Sequence, residues 1–150
     1  MKDLLNAAEM KAVDKRSIEE YGIPSLVLME RAALEVVKRA GELLEPGLSG
    51  NEALEYGPGR ERLLKERKRK TVWAVCGFGN NGADGAAAAR MLTLQGFSSV
   101  ILLPSLEGKR SRELEVQLSV AEKLGIPILT LGDPLPEACD VVGDSLLCIG

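Results

Sequence analysis

The chain has 150 residues, of which 45% are hydrophobic and 27% charged, a balance typical of one globular domain and not of a disordered or fibrous chain. Its net charge of −3 disfavours a nucleic-acid binder, and no apolar stretch is long enough to predict a membrane span. The sequence contains no histidine, which excludes Ser-His-Asp and Cys-His catalysis and leaves carboxylates, lysines, thiols or water for proton transfer.

The first 44 residues predict two helices with no strand between them. Asn6 and Glu9 have the spacing of a capping box, and apolar residues then recur on one helical face. Gly22 is placed to end the first helix, and Pro24 stands where the second can begin.

Residues 45–70 predict a long connection. The part from 45 to 59 is rich in glycine and proline, which indicates a loop, and the basic run RERLLKERKRK follows. Two glutamates interrupt that run and the whole chain is acidic. We therefore interpret the run as the solvated end of a helix and not as a nucleic-acid patch.

From residue 71 onwards, short apolar runs alternate with helical patterns. Strands are predicted in TVWAVCG, SVILLP, PILTL and DVVGDSLLCIG, and helices at 84–95 and 111–124. The first strand is expected to be buried on both faces, as in parallel sheets. The alternation predicts a Rossmann-like three-layer α/β/α sandwich with a mostly parallel sheet, preceded by the helix pair.

The turn GFGNNGADG, residues 77–85, contains the G-x-G-x-x-G pattern of a dinucleotide-binding turn. An NAD dehydrogenase also places an acidic residue at the end of its second strand, to hold the ribose. Pro104 and Ser105 stand at that position here. The pattern therefore argues against a standard dehydrogenase.

Side-chain oxygens are unusually dense in this turn. Those of Asn80, Asn81 and Asp84 suit a hard cation or a hydroxylated ligand, and Asp144 at the end of the fourth strand is a further candidate. A purely structural interpretation also stands. In it the asparagines adopt left-handed turn conformations, and each aspartate caps a helix.

Three segments in the right order resemble the NAD(P)HX epimerase family, also called YjeF N-terminal domains, whose animal members include the apolipoprotein A-I-binding protein. GFGNNGADG resembles the family's G-x-G-N-N-G-G-D-G loop. Residues 7–33 resemble its opening helix pair with the L-M-E-x-A-G signature, and DVVGDSLLCIG is similar to its V-D-A-L-x-G-T-G segment. The resemblance implies an isomerase that interconverts the R and S epimers of hydrated NADH and NADPH (NADHX and NADPHX). An ADP- or ATP-dependent dehydratase, fused or separate, would then restore the cofactor.

The resemblance also implies roles for particular residues. Asn81 and Asp144 would bind a potassium ion (K+). The substrate contacts would be Asn80, Asn81, Gly82, Ala83, Asp84, Cys148, Ile149 and Gly150, the last three beginning a phosphate-binding loop. The chain departs from the family where Ala33 and Ala83 replace glycines and where Cys148 and Ile149 replace Gly-Thr.

The family's catalytic aspartate belongs to a D-x-P-S-G segment that has no match up to Gly150. We therefore expect residues 1–150 to form one epimerase domain that is incomplete at its C-terminal end and inactive alone, with 45–70 as an insertion.

Two alternatives stay open: a non-catalytic nucleotide- or protein-binding module, and a conventional nucleotide-dependent oxidoreductase. We expect a homodimer, since the sheet covers the helix pair only in part. Three cysteines in no metal or redox spacing favour the cytoplasm.

Overall fold

The computed structural model describes residues 6–47 and 59–146, in which five helices and four strands follow one another. In chain order they are α1 (Ala7–Glu19), α2 (Ser25–Leu44), α3 (Arg60–Arg67), β1 (Thr71–Cys76), α4 (Asn80–Leu94), β2 (Ser98–Leu103), α5 (Arg112–Lys123), β3 (Ile128–Thr130) and β4 (Val141–Ser145). None of the helices in these ranges is long and apolar enough to cross a membrane.

The N-terminal helix pair is confirmed. The Asn6 side chain accepts a hydrogen bond from the Glu9 backbone at 3.0 Å, and the Asn6 backbone donates to the Glu9 carboxylate at 2.7 Å. This reciprocal capping box satisfies two N–H groups that the first helical turn leaves without intrahelical partners. Gly22 has a φ of 68°, the left-handed conformation that lets the chain turn from α1 into α2.

The strands form one parallel sheet in the order β3-β2-β1-β4, which confirms the predicted α/β class with a parallel sheet. β1 lies at the centre, with Val75 level with Leu102 of β2 on one side and with Asp144 of β4 on the other. From β1, the chain adds β2 and then β3 on one side of the sheet. The last strand, β4, then pairs with the other side of β1. The switch point lies between β1 and β4.

Helix α4 is the centre of the core, because it packs on β1, β2 and β4 and also on α2 and α5. Its alanines are at most 4% exposed: Ala83, Ala86, Ala87, Ala88 and Ala89. Such small side chains let the helix approach the sheet and its neighbouring helices closely. One prediction is wrong here. Only alternate residues of β1 are buried (Val72, Ala74 and Cys76), and the other face of the strand remains partly exposed.

The basic run at 60–70 is not simply solvated, because Arg67 is only 3% exposed. Its guanidinium binds both carboxylate oxygens of Glu45 at 2.5–3.0 Å, donates to the Gln95 carbonyl at 3.0 Å and stacks on the Phe97 ring at 4.9 Å. A buried pair of this kind needs its full set of hydrogen bonds to offset desolvation. These contacts of Arg67 join the end of α2 to α3 and to the end of α4.

Candidate functional site

The carboxyl edge of the sheet at the β1/β4 switch point is where open α/β sheets bind ligands. Two segments meet there: the turn from β1 into α4, and the residues that end β4. The Gly77 N–H donates to the Ser145 carbonyl at 3.0 Å and so joins the two segments directly.

Three glycines make this junction possible. A Cβ on Gly77 would lie 2.4 Å from the Leu146 carbonyl oxygen, and one on Gly82 would lie 1.9 Å from the Gly77 carbonyl oxygen. A Cβ on Gly85 would lie 2.7 Å from the Ser145 hydroxyl oxygen. Backbone therefore packs on backbone at Gly77 and Gly82, and Gly85 lies against the side chains of Ser145 and Cys76.

Helix α4 begins at Asn80, four residues before the predicted start at Asp84. The Ala83 N–H closes the first turn on the Gly79 carbonyl at 3.2 Å, and the Gly79 cap makes no side-chain hydrogen bond. All non-glycine residues in the described part of the chain have negative φ, so the interpretation of the asparagines as left-handed turns is wrong. Asp84 lies inside the helix and caps nothing. The turn is thus a helix N-terminus, whose first N–H groups and dipole favour a negatively charged ligand.

The predicted substrate residues on α4 differ in exposure. Asn80 is exposed, Asn81 and Asp84 are partly buried, and Gly82 and Ala83 are buried. Ala83 is helical, so the replacement of the family's glycine causes no backbone strain. The residues beyond β4 in that prediction, Cys148, Ile149 and Gly150, lie outside the described residues.

Asp84 is an ionisable residue of this turn whose pKa is shifted. Burial raises its pKa to about 6, and the negative charge of Asp14 on α1 adds to the increase. A carboxyl group with this pKa can both accept and donate a proton near neutral pH. The Cys76 thiol below the turn cannot, because burial raises its pKa to about 12.

Asp144 lies within β4 and is exposed, with its Oδ1 accepting the Leu146 N–H at 3.0 Å. This local turn, and not the predicted helix cap, is its structural role in the described chain. Leu146 packs on Gly77 and Gly77 on Gly82, which brings the end of β4 and the first turn of α4 into one small region.

Oxygen donors in this region are sparse. Within residues 6–47 and 59–146, no group of three or more carboxylate or thiol side chains is arranged to hold a metal ion. Asn81 and Asp144 offer one amide and one carboxylate. Among the described residues, backbone carbonyls would have to complete the coordination shell.

A loop that the sequence interpretation missed borders the same site. The Ser111 N–H donates to the Phe78 carbonyl at 2.8 Å, and Gly108 packs on the Phe78 ring. Gly108 has a φ of 146°, and a Cβ there would lie 2.3 Å from the ring. The β2–α5 loop is therefore fastened to the β1–α4 turn. The sequence signal was the run GKRSR at 108–112.

The glutamate of the L-M-E signature, Glu30, has a structural partner. Arg90 of α4 donates to both of its carboxylate oxygens at 2.5 and 2.6 Å, and Gln117 of α5 donates to it at 3.1 Å. This network ties α2 to the two helices beside it. It also sets the position of α2 against α4, which carries the candidate site.

A cavity of about 410 Å³ lies between the helices α2 and α4 and the strands β1 and β4. Its lining is mostly apolar, with Glu35, Arg39 and Ser145 as exceptions. None of Asn80, Asn81, Asp84 or Asp144 lines it. The polar edge at the switch point is the better candidate for a charged ligand.

Comparisons with known proteins bear on this geometry. The family described as YjeF-related protein N-terminus matches residues 25–150. A protein of Oenococcus oeni named NAD(P)H-hydrate epimerase is 38% identical over 139 residues, which are 91% of this chain and 55% of that protein. One of the same name from Weissella koreensis is 36% identical over 126 residues, which are 84% of this chain and 47% of that protein.

The chain spans about half the length of the curated relatives it matches. The fold is also similar to the crystal structure of yeast ynu0, with a TM-score of 0.69 at 21% identity. That similarity covers 97% of this chain and 57% of the yeast chain. It confirms the predicted Rossmann-like class.

Proposed function

The chain belongs to the family of YjeF-related protein N-termini, and from this premise we propose that it acts as an NAD(P)HX epimerase. The reaction interconverts the R and S epimers of hydrated NADH and NADPH. The observation that carries the proposal is the polar first turn of α4 at the switch point, where Asn80, Asn81 and Asp84 follow the backbone junction of Gly77 and Gly82. Relatives named NAD(P)H-hydrate epimerase align with most of this chain.

In this proposal, the N–H groups of the first turn of α4 bind the pyrophosphate, and the side chains of that turn contact the hydrated nicotinamide ring. The inverted carbon carries a hydroxyl and the ring nitrogen. Ring opening or loss of hydroxide makes that carbon planar, and re-addition from the other face inverts it. Asp84, with a pKa of about 6, is suited to hold the hydroxyl and to exchange its proton.

We propose that Asn81 and Asp144 bind K+ beside the substrate. The donor set supports a singly charged ion, because a single carboxylate with amide and backbone oxygens carries little negative charge. The ligand atom would be Oδ2 of Asp144, since its Oδ1 accepts from the Leu146 N–H. When bound, the ion would offset negative charge close to the dinucleotide.

Two further proposals concern partners. The S epimer would pass to an ADP- or ATP-dependent dehydratase, fused or separate, which restores the reduced cofactor. The chain would also form a homodimer through its helix pair, which leaves Val13, Val27 and Leu34 47–53% exposed. Sedimentation showing a monomer at high concentration would contradict the dimer.

Free thiols at Cys76 and Cys139 fit a cytoplasmic setting.

The test supplies the full-length protein with R-NADPHX and an S-specific dehydratase, and follows the return of reduced-nicotinamide absorbance. Epimerisation faster than spontaneous inversion is expected, with potassium required and a large organic cation ineffective. Asn81→Ala and Asp144→Ala should abolish the acceleration. Glu137→Ala removes an exposed carboxylate from the 131–140 loop and should leave the rate unchanged. No acceleration by a folded protein that binds NADPH would refute catalysis and leave a binding module.

A further inference from the structure

The β2–α5 loop carries a basic cluster that the proposed reaction does not use. Lys109, Arg110 and Arg112 stand within four positions, with Lys109 and Arg112 exposed. In the described part of the chain, none of the three forms an ion pair with a carboxylate. Unpaired cations gathered on one loop are suited to an anionic ligand.

The cluster borders the candidate site. Its neighbours Gly108 and Ser111 both contact Phe78, which lies between Gly77 and Gly79 in the dinucleotide turn. β1 and β2 are adjacent parallel strands, so the loops at their carboxyl ends lie side by side. A dinucleotide at the start of α4 would therefore have this loop beside one of its ends.

The loop holds Arg110 in a defined position. Its Nη2 donates to the Leu106 carbonyl at 2.6 Å, and its Nε is buried without a hydrogen-bond partner among the described residues. The Leu106 contact fixes the guanidinium in one orientation, and because Nε is buried, a phosphate oxygen would bind to its Nη groups.

Nearby carboxylates neutralise the cluster only in part. Glu113 accepts a hydrogen bond from the Ser25 hydroxyl of α2 at 2.6 Å, and this bond is the main reason that its pKa is lowered. The charge of Arg112 is a smaller cause of the same shift, so Glu113 offsets part of the positive charge of the cluster. Glu107 is exposed on the loop, and its carbonyl accepts from the Ser105 hydroxyl.

We infer that this loop binds the 2′-phosphate of the adenosine ribose, so that the chain favours NADPHX over NADHX. In dinucleotide-binding folds, the end of the second strand meets this ribose. An acidic residue there binds a free 2′-hydroxyl, whereas an arginine accommodates a 2′-phosphate. Here the acid is missing and three cations follow. The inference rests on the proposed function for its substrate, but it concerns binding and not catalysis.

The experiment measures binding of NADPH and NADH to the full-length protein by calorimetry, since both are stable and differ only in the 2′-phosphate. The chain should bind NADPH at least about tenfold more tightly, as expected for charge-assisted phosphate contacts. The double variant Lys109→Gln/Arg112→Gln should lose this preference while its affinity for NADH stays unchanged. Raised salt should weaken the binding of NADPH more than that of NADH.

The matched control is Lys65→Gln/Lys123→Gln. It removes two positive charges from the last turns of α3 and α5, at the opposite edge of the sheet, and should keep the preference for NADPH. Equal affinities in the unaltered chain, or a preference that survives in Lys109→Gln/Arg112→Gln, would overturn the inference. So would equal weakening of both ligands, which would assign the loop to the shared pyrophosphate.

Failure of this inference is distinguishable from failure of the proposed function. Epimerase activity with equal affinity for the two dinucleotides would overturn only the 2′-phosphate site. A 2′-phosphate preference lost in Lys109→Gln/Arg112→Gln, without epimerase activity, would refute the catalytic proposal and support the site.

Discussion

Replacing Asp84 by asparagine should stabilise the fold at neutral pH while it removes a carboxylate from the candidate site. Burial, and secondarily the charge of Asp14, raise the pKa of Asp84 from 3.8 to about 6. Ionising Asp84 therefore costs free energy in the folded state that it does not cost in the unfolded chain. Asparagine has nearly the same shape and carries no charge, so the cost disappears.

The size of the effect follows from that pKa difference. One pH unit corresponds to 1.36 kcal/mol, so the change from 3.8 to about 6 corresponds to about 3 kcal/mol for a fully desolvated group. Asp84 is only partly buried, so solvent screening reduces the expected gain to about 1–2 kcal/mol.

The gain depends on pH in a defined direction. Well below pH 3.8 the carboxyl is protonated in both states, and the variant and the parent should be equally stable. As the pH rises through about 6 the parent loses stability that the variant keeps, and the difference should level off above about pH 7.

Urea denaturation at several pH values measures this difference directly, with the slope m checked for constancy. Glu122→Gln, at an exposed carboxylate of α5, makes the same change of net charge and should shift stability by less than about 0.5 kcal/mol. Asp14→Asn should reproduce a smaller part of the gain, because its charge is the second cause. A difference independent of pH, or an Asp84→Asn variant less stable at pH 7, would refute the reasoning.

Three further predictions concern the packing. Arg67→Met should cost about 3 kcal/mol in denaturation because it leaves the Glu45 carboxylate buried without its cation, and adding Glu45→Leu should recover most of the loss. Gly82→Ala should cost about 2–4 kcal/mol because its methyl group meets backbone, whereas Gly41→Ala, with open space around the site, should stabilise by about 0.5–1 kcal/mol. Equal unfolding midpoints for the two glycine variants would contradict this. Mass spectrometry after thiol alkylation at pH 8 should find Cys76 unmodified in the native protein and modified in urea.

Local patterns predicted the elements well, because short-range signals specify them. The capping box at Asn6 and Glu9 involves residues three positions apart, and both of its hydrogen bonds are present. The start of α4 was misplaced for a complementary reason. Asp84 is a good helix cap by type, but packing of Gly82 on Gly77 starts the helix at Asn80. Because this contact joins backbone atoms, the sequence shows only that glycines stand at the two positions.

The sequence by itself determined the α/β alternation, the family motifs and the absence of histidine chemistry, since these depend on residue type and on spacing along the chain. Only the tertiary structure decided the charge environments. Asp84 owes its pKa to burial and to Asp14 on a distant helix, and Arg67 is buried because Glu45, 22 positions away, meets it. The basic loop borders the β1–α4 turn through its contacts with Phe78. Desolvation and charge interactions act through space, so they follow from the packing of the elements and not from their order in the chain.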